Sequence, residues 1–450
     1  MKTCLETVEV ERCARPGGAQ GDPQMPRLRV PPWYVRIPAR LIAYAVVLSS
    51  EWIARLAERF GRAKHRRLPA GPVHVLLTGT FHSDNWLHAH LRPLAASAEC
   101  RSVTVVSDRR MGPVPKVKYV TPPTWLRKSC GRIVARSLTY LFTAFRERPA
   151  ICGGFHMLCN GMLALVAARL TGAKALYFCV GGKTEIIGGG VYCENDIFGK
   201  IGRHDRRLED MLLGVIRHID AVVTMGTGAK RFFRERGIDV AIYVNPGGIA
   251  PPSVAESNGK DVDLIITCRL APVKRLDVFL RIVRAVADRR PGLKAVIVGS
   301  GREERMLREL KIELALDGIL EMPGQQADVQ PWLRRARLFM LTSDSEGVPL
   351  AIMEAMQLGL PCVASSVGDI ADLVRDGANG YLVPRRNVEA FARRVLELLE
   401  NAKLLDQLSL EARQAADGYT LEAAAEKWLH VLDGLRDGKR GDEQHSGGRV

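Results

Sequence analysis

Residues 343–356 read Ser-Asp-Ser-Glu-Gly-Val-Pro-Leu-Ala-Ile-Met-Glu-Ala-Met, and they follow the apolar run 337–342. The run is typical of a buried strand, and Pro349 followed by good helix formers predicts that a helix begins there. Glu346 is therefore expected in a polar loop and Glu354 inside the helix. The stretch predicts a strand, a loop and a helix of an α/β sheet, with two carboxylates at the edge where such sheets bind ligands.

The same alternation of strands and helices runs through most of the chain and restarts once. Short apolar runs predict strands at 73–77, 102–107, 150–152, 173–180, 221–224, 241–244, 262–267, 294–298, 337–342 and 362–365. Strands that alternate with helices form parallel sheets. The Pro- and Gly-rich residues 245–253 interrupt the pattern, which indicates a boundary between two Rossmann-like domains that face a cleft.

The pattern divides the chain into seven segments. We expect a disordered tail at 1–31, an amphipathic basic helix within 32–70 and a first Rossmann-like domain at 71–250. A linker at 251–258 leads to a second such domain at 259–420. A helix at 421–437 is expected to cross back to the first domain, and 438–450 is expected to be a disordered tail.

The composition is that of a globular protein, but the charge is not ordinary. Apolar residues make up 47% of the chain and the net charge is +16. Such a charge indicates a polyanionic partner: nucleic acid, an anionic membrane or a phosphate-bearing substrate. We expect no nucleic-acid binding, because no basic stripe with interleaved aromatic residues and no known binding module is present.

The segment 39–67 could lie on a membrane or pack on the first domain, and the sequence leaves both alternatives open. Only ten uncharged residues separate Arg40 from Glu51, which is short of the ~20 needed to cross a bilayer. Its aromatic residues and its basic end suit a membrane surface.

Two glycine motifs elsewhere match known nucleotide-binding motifs only in part. Val298-Gly299-Ser300-Gly301 opens like a dinucleotide fingerprint, but Glu304 stands where the third glycine belongs, so a dehydrogenase is disfavoured. Gly299 remains a candidate for the donor site described below. Gly181-Gly182-Lys183-Thr184 resembles the end of a P-loop, but Tyr177 stands where its first glycine belongs.

Two cations follow the first strand of the second half. Arg269 stands at the end of the run 262–267, and Lys274 stands where the next helix begins. Cations beside a helix N-terminus suit a diphosphate, because the side-chain charges add to the backbone amide donors. On spacing alone, Glu346 and Glu354 could form a solvated helix face, but their loop, helix and following strand favour a binding site.

Residues 263–384 resemble the donor-binding domain of glycosyltransferase family 4, whose members are retaining enzymes of the GT-B fold. The resemblance rests on the stretch from Cys268 to Asp277, on the E-x7-E element from Glu346 to Glu354, and on Val367-Gly368-Asp369 followed by residues 376–384. Residues 72–250 match the family more loosely. The resemblance implies an α/β GT-B protein that binds a nucleotide-diphosphate sugar.

The resemblance also implies roles for individual residues. Arg269 and Lys274 would hold the diphosphate, Glu354 the ribose and Glu346 the transferred sugar. Backbone amides of Gly347, Val348 and Leu350 would meet the phosphate. No bound metal or other cofactor is expected, because family members work without one.

Candidates in the first half are fewer. His156 follows a strand where family members often carry a histidine beside the donor sugar, although a loop histidine without a catalytic role is an open alternative. Gly79 in the first strand-to-helix turn, with Lys183 and Glu185 in a glycine-rich loop, are candidates for the acceptor side.

The function expected from this resemblance is retaining transfer of a hexose from a nucleotide-diphosphate sugar to an acceptor hydroxyl. The charge and the segment 39–67 suit a glycan or lipid-linked acceptor in surface polysaccharide assembly, on a cytoplasmic protein peripheral to the inner membrane face. A GT-B phosphorylase, a GT-B epimerase and a non-catalytic nucleotide-sugar-binding protein remain alternatives. Phosphate dependence would reveal the phosphorylase, and donor hydrolysis would exclude the binding protein.

Overall fold

The computed structural model of the chain describes residues 31–59, 68–81, 83–193, 197–252 and 259–438. The predicted tails, 1–31 and 438–450, lie almost wholly outside these ranges. Residues 60–67, which carry the basic end of the predicted membrane contact, and residues 253–258 of the predicted linker also lie outside them.

The first domain is built on a seven-stranded parallel sheet. Its strands are β1 (Val73–Thr78), β2 (Cys100–Val106), β3 (Val117–Val120), β4 (Ile151–Phe155), β5 (Lys174–Cys179), β6 (Ala221–Thr224) and β7 (Ala241–Val244). They lie in the order β3-β2-β1-β4-β5-β6-β7. In the register, Leu77 pairs with Val105 on one side and with Gly153 on the other. The order reverses between β1 and β4, which is where sheets of this kind bind ligands.

Helices cover both faces of this sheet. They are α1 (Trp33–Arg59), α2 (Asp84–Ala96), α3 (Thr124–Glu147), α4 (Met162–Thr171), α5 (Arg206–Ile216) and α6 (Thr227–Glu235). One core cluster joins α1, α3, α4, α5 and α6 to the sheet, and a second joins α2 to the opposite face. The inner strands are buried on both faces, which explains why they read as continuous apolar runs rather than as alternating ones.

The second domain repeats the plan with six parallel strands. They are β8 (Val262–Thr267), β9 (Ala295–Val298), β10 (Leu320–Gly324), β11 (Ala336–Leu341), β12 (Cys362–Ser365) and β13 (Gly380–Val383), in the order β10-β9-β8-β11-β12-β13. Its helices are α7 (Leu276–Ala287), α8 (Glu304–Glu313), α9 (Gln330–Arg335), α10 (Leu350–Gln357), α11 (Val388–Glu400) and α12 (Ala402–Ala416). The predicted α/β architecture with two Rossmann-like sheets is confirmed.

The last helix, α13 (Leu421–Asp437), packs on α2 of the first domain. Trp428 is buried there against Phe178 of β5, with ring centroids 5.4 Å apart. Asn245, just after β7, donates from its side chain to the carbonyl of Ala424 at 3.1 Å. The end of the chain thus belongs to the core of the first domain.

Helix α1 lies within the predicted range 32–70. It begins at Trp33 and continues through Pro38. Within the described residues, Trp33–Ala57 is the helix that is long and apolar enough to cross a bilayer by length and composition, with mean hydropathy 1.3. In the structure Ala43, Val47 and Ala54 are fully buried against the first domain. One side of α1 therefore packs on the first domain, which is one of the two alternatives drawn from the sequence.

Candidate functional site

The cleft between the domains is bordered by the carboxyl ends of both sheets. Two contacts across it fix how close the domains come. Asn85, in the first turn of α2, donates to Glu354 Oε1 at 2.9 Å. Gly347 lies so close to the first domain that an added Cβ would be 2.7 Å from the Val180 carbonyl oxygen. Val348 contacts the apolar cores of both domains, so the loop 343–349 forms part of the contact between the two domains.

Lys274 and Glu346 form an ion pair at the centre of the second domain's edge. Lys274 Nζ lies 2.6 Å from Glu346 Oε1, and their side chains are only 16% and 10% exposed. Ser343 donates to the same carboxylate oxygen. Burial acts to lower the pKa of Lys274, but the charge of Glu346 more than offsets it and holds the pKa above its ordinary value. The charged Lys274 is thus fixed beside the loop 343–349, where a phosphate group could interact with this lysine at the same time as Glu346 does.

Arg269 is exposed just beyond the end of β8, and it lies close enough to Lys274 for its charge to act against the raised pKa of that lysine. The short turn Pro272–Lys274 joins β8 to α7 and places Lys274 over the end of β11. There the hydroxyl of Thr342 donates to the backbone carbonyl of Lys274 at 3.0 Å. The structure therefore brings Arg269, Lys274 and Glu346 to one sheet edge, as their positions at strand ends predicted.

Glu354 lies on α10, eight residues after Glu346, and its carboxyl group faces the first domain through Asn85. Burial raises its pKa to about 7, and the hydrogen bond from Asn85 opposes the shift only in part. A carboxyl group poised near neutrality in a cleft is a common feature of ligand sites. A vicinal diol would have to replace the Asn85 contact with its own hydroxyl donors.

Gly299 has a structural reason to be glycine. Its φ is +145°, and an added Cβ would stand 1.9 Å from the Cys268 carbonyl oxygen. Its own N–H already donates to the Gly324 carbonyl at 2.9 Å. Gly299 therefore lets the loop after β9 pass close to the end of β8, and its amide is not a donor for a ligand. Leu350 begins α10 directly after Pro349, as predicted.

His156 is held at the end of β4, on the opposite lip. Its φ of 65° is unusual for a residue with a side chain. Its Nδ1 lies 2.9 Å from Glu185 Oε1, and its side chain is 42% exposed. Because Glu185 engages Nδ1, chemistry at this histidine would use Nε2.

Glu185 does not face the cleft as an acceptor-side residue would. It is 1% exposed, and besides His156 it accepts hydrogen bonds from the N–H groups of Met157 and Gly181 and from the hydroxyl of Tyr177. Burial alone would raise its pKa, but the charge and hydrogen bond of His156, together with the two backbone donors, hold the pKa below its ordinary value. The geometry makes Glu185 a positioning residue for His156.

The other two acceptor-side candidates differ in their surroundings. Gly79 is buried at the end of β1, where an added Cβ would be 2.5 Å from the ring of Phe81. Lys183 lies in the turn Gly182–Glu185, and its charge acts on Asp369 of the second domain. Lys183 is thus placed at the cleft, whereas Gly79 serves the packing of the first turn.

A further contact between the domains was not predicted from the sequence. Asp372 accepts from both the N–H and the hydroxyl of Thr227, each at 2.6 Å, at the start of α6. Asp369 accepts from the N–H groups of Gly228 and Ala229. Burial raises the pKa of Asp369 to about 6. Two carboxylates of one domain thus satisfy the helix N-terminus of the other, which favours this relative placement of the domains.

Removing the Asp372 contact should loosen the domains. We expect Asp372→Ala to weaken domain closure by about 1–3 kcal/mol, because two hydrogen bonds to a carboxylate are lost. Small-angle X-ray scattering should then report a larger radius of gyration, whereas the control Asp317→Ala, at a surface pair with Lys311, should not change it. Equal radii for both variants would show that the contact does not hold the domains.

The second domain matches a known family model. Residues 261–401, about a third of the chain, match the family model "Glycosyl transferases group 1". An uncharacterized glycosyltransferase of Haemophilus influenzae is 28% identical over 217 residues, which are 47% of this chain and 61% of that protein. The putative colanic acid biosynthesis glycosyltransferase WcaL of Salmonella typhimurium is 32% identical over 169 residues, which are 36% and 40% of the two chains. The chain thus spans about half the length of these curated relatives.

Solved structures support the fold over more of the chain. Anabaena HepE, in complex with UDP and glucose, superposes with a TM-score of 0.62 at 15% sequence identity. The superposition covers 80% of this chain and 99% of HepE. The GT-B arrangement of two Rossmann-like domains, predicted from the resemblance of the second half, is confirmed.

Proposed function

We propose that the protein is a retaining glycosyltransferase that moves a hexose from a nucleotide-diphosphate sugar to an acceptor hydroxyl. The observation that carries this proposal is the set Lys274, Glu346 and Glu354 at the edge of a group 1 glycosyltransferase domain, opposite His156 and Glu185. Relatives named as glycosyltransferases and a structural neighbour solved with UDP and glucose support it.

Each of these residues would contact a different part of the donor. Glu354 would accept hydrogen bonds from the two ribose hydroxyls in place of Asn85. Lys274 and Arg269 would neutralise the diphosphate, with backbone amides of the loop 347–350 as further donors. Glu346, already fixed by Lys274 and Ser343, would contact the hydroxyls of the transferred sugar, and His156 Nε2 would do so from the other domain.

Catalysis would then rest on stabilising the leaving group. As the bond from the anomeric carbon to the diphosphate breaks, negative charge grows on the diphosphate beside Lys274 and Arg269. The acceptor hydroxyl attacks on the same face, so the anomeric configuration is retained, and its proton passes to the departing diphosphate. Domain closure would assemble the site. We propose that the reaction needs no bound metal or other cofactor.

The acceptor is proposed to be a glycan or a lipid-linked glycan. The charge of +16 and the apolar helix α1 favour an acceptor at a membrane surface, reached from the cytoplasm through peripheral contact by residues 39–67. The relative WcaL is named for colanic acid biosynthesis, which supports polysaccharide assembly as the setting.

A donor screen tests the proposed function. Nucleotide-diphosphate sugars are added singly to the full-length protein, and its melting temperature is measured. The sugar that stabilises most is then incubated with the protein, and the released nucleoside diphosphate and the anomeric product are followed by NMR. We expect one donor to be consumed with retention and without added phosphate. Consumption that requires phosphate would indicate a phosphorylase, and stabilisation without consumption would indicate a binding protein.

Nucleotide binding should depend on pH through Glu354. Its pKa of about 7 means that the carboxyl group is mostly protonated at pH 6 and ionised at pH 8, and the ionised form accepts hydroxyl donors better. We expect affinity for the nucleoside diphosphate to rise about tenfold from pH 6 to pH 8. Isothermal titration at both pH values measures it. Glu354→Gln should bind weakly with a flat profile, and an unchanged slope in that variant would assign the pH dependence to another group.

A further inference from the structure

Helix α3 carries an outward apolar stripe that the core does not explain. Val134, Leu138, Phe142 and Phe145 recur at helical spacing, and each is 47–65% exposed. The opposite side of the same helix is buried through Ala135, Thr139, Tyr140 and Ala144. Exposed apolar side chains scattered singly are normal, but a stripe of this kind usually marks a contact surface.

Helix α1 carries a second stripe of the same kind. Tyr34, Ile37, Leu41, Leu48 and Trp52 are each 50–65% exposed at helical spacing, on the side away from the core. Both helices pack on α4, which lies between them. The outward sides of α1, α4 and α3 therefore form one apolar face of the first domain.

Basic side chains border this apolar face. Those on or next to α3 are Lys128, Arg132, Arg146 and Arg148, all exposed. The one acidic residue of α3, Glu147, turns inward to Lys118, His74 and Thr104. A second copy of the chain would bring like charges together on this face, whereas an anionic bilayer would match both its apolar stripes and its charge.

A basic pocket of about 540 Å³ opens where the α1 stripe begins. It lies between α1 and the start of α5, and its lining includes Arg36, Arg40, Arg203, Arg206 and Arg207. Its single carboxylate, Asp205, is paired with Arg40 at 2.7 Å and accepts from Tyr44. Ile37 belongs to both the pocket and the stripe. Guanidinium groups gathered in one concavity suit a phosphate group.

We propose that the apolar face docks on an anionic lipid bilayer and that the basic pocket holds the phosphate of a lipid headgroup. The side chains of the α1 and α3 stripes enter the edge of the acyl layer, and the flanking cations remain at the headgroups. This extends the contact well beyond residues 39–67 and does not depend on the glycosyl-transfer reaction.

The topology places this surface next to the acceptor side of the cleft. Helix α3 begins four residues after β3 ends, so Trp125, 69% exposed, lies near the carboxyl edge of the sheet. Of the pocket residues, 203–205 belong to the connection that leaves the same edge after β5, and 206 and 207 begin α5. A lipid-borne molecule could therefore pass from the bilayer to the cleft without leaving the protein surface.

Vesicle flotation with the full-length protein tests the proposal. The vesicles are phosphatidylcholine alone or phosphatidylcholine with about 30% phosphatidylglycerol. Leu138→Ser/Phe142→Ser removes part of the α3 stripe, and Arg203→Ser/Arg207→Ser removes two pocket cations. The controls are Ile312→Ser/Leu410→Ser, at exposed apolar residues of the second domain, and Arg281→Ser/Arg289→Ser, at exposed arginines there.

We expect the wild type and both control variants to float with anionic vesicles only. Each test variant should bind these vesicles about tenfold or more weakly, and its donor hydrolysis in solution should be unchanged. The lipid assignment is overturned if the test variants float as well as their controls, or if analytical ultracentrifugation finds a wild-type dimer that the α3 variant dissociates. It is also overturned if inorganic pyrophosphate binds the wild type through Arg203 and Arg207 while vesicles do not. Lost donor hydrolysis in every protein would count against the proposed function alone.

Discussion

Lys274→Ala is expected to lower the turnover of the nucleotide-sugar donor by about 10²–10³-fold, because the leaving diphosphate loses a preorganised cation. The lysine is fixed by Glu346 at 2.6 Å and is largely withdrawn from water, so its charge acts at close range in a medium of low polarity. The loss should appear mainly in kcat. Release of the nucleoside diphosphate, measured with saturating donor, reports it directly.

The control for this prediction is Lys311→Ala, at a surface lysine paired with Asp317. Its turnover should match the wild type within twofold. Lys274→Ala also leaves Glu346 without its cation, so both proteins are compared at a temperature well below their melting points. Turnover by Lys274→Ala within threefold of the control would remove Lys274 from the diphosphate site.

Glu185→Gln is expected to lower donor turnover by about 10³-fold although Glu185 touches no substrate. The carboxylate fixes the ring of His156 through Nδ1, and exchanging a carboxylate for an amide at such a position presents the wrong partner to the histidine. The amide also cannot accept from Met157, Gly181 and Tyr177 as the carboxylate does. We therefore expect a loss of about 3–5 kcal/mol in the free energy of unfolding as well.

A double-mutant cycle separates positioning from mere stability. Glu185→Gln in a His156→Ala background should cause little further loss of turnover, because the group that it positions is absent. Tyr177→Phe is the matched control. It removes one hydrogen bond to Glu185, should cost about 1 kcal/mol of stability, and should leave turnover within a few-fold. If the effects of Glu185→Gln and His156→Ala on turnover multiply, Glu185 does not act through His156.

Much of the fold was accessible from the sequence because buried parallel strands leave a simple pattern. The strands 221–224, 241–244, 262–267 and 362–365 occur at the predicted residues. The sequence did not predict three of the strands, β3, β10 and β13. It also did not predict the helices α3, α5, α9, α11 and α12. In α3 the outward stripe is as apolar as the buried side, so the helix lacks the single apolar face by which helices are recognised.

The site was predictable in part. Arg269, Lys274 and Glu346 lie in loops that follow strand ends, and Glu354 lies in the helix after one of these loops, so topology alone brings the four residues to one edge of the sheet. Their partners were not predictable in this way. The Lys274–Glu346 pair joins residues 72 positions apart, and the Asn85–Glu354 contact joins residues 269 positions apart across two domains. For Glu185 the sequence indicated the right loop but not that the side chain is buried, because a glycine-rich turn has no pattern that predicts whether a carboxylate points into the core or into the cleft.

We infer that the second domain holds a nucleoside diphosphate between Lys274 and Glu354, facing His156. A crystal structure of the protein with the nucleoside diphosphate of its preferred donor tests this most directly. We expect ribose hydroxyls about 3 Å from the Glu354 carboxylate and diphosphate oxygens about 3 Å from Lys274 Nζ, with Asn85 displaced from Glu354. A nucleotide bound elsewhere, with the Asn85–Glu354 contact intact, would contradict it.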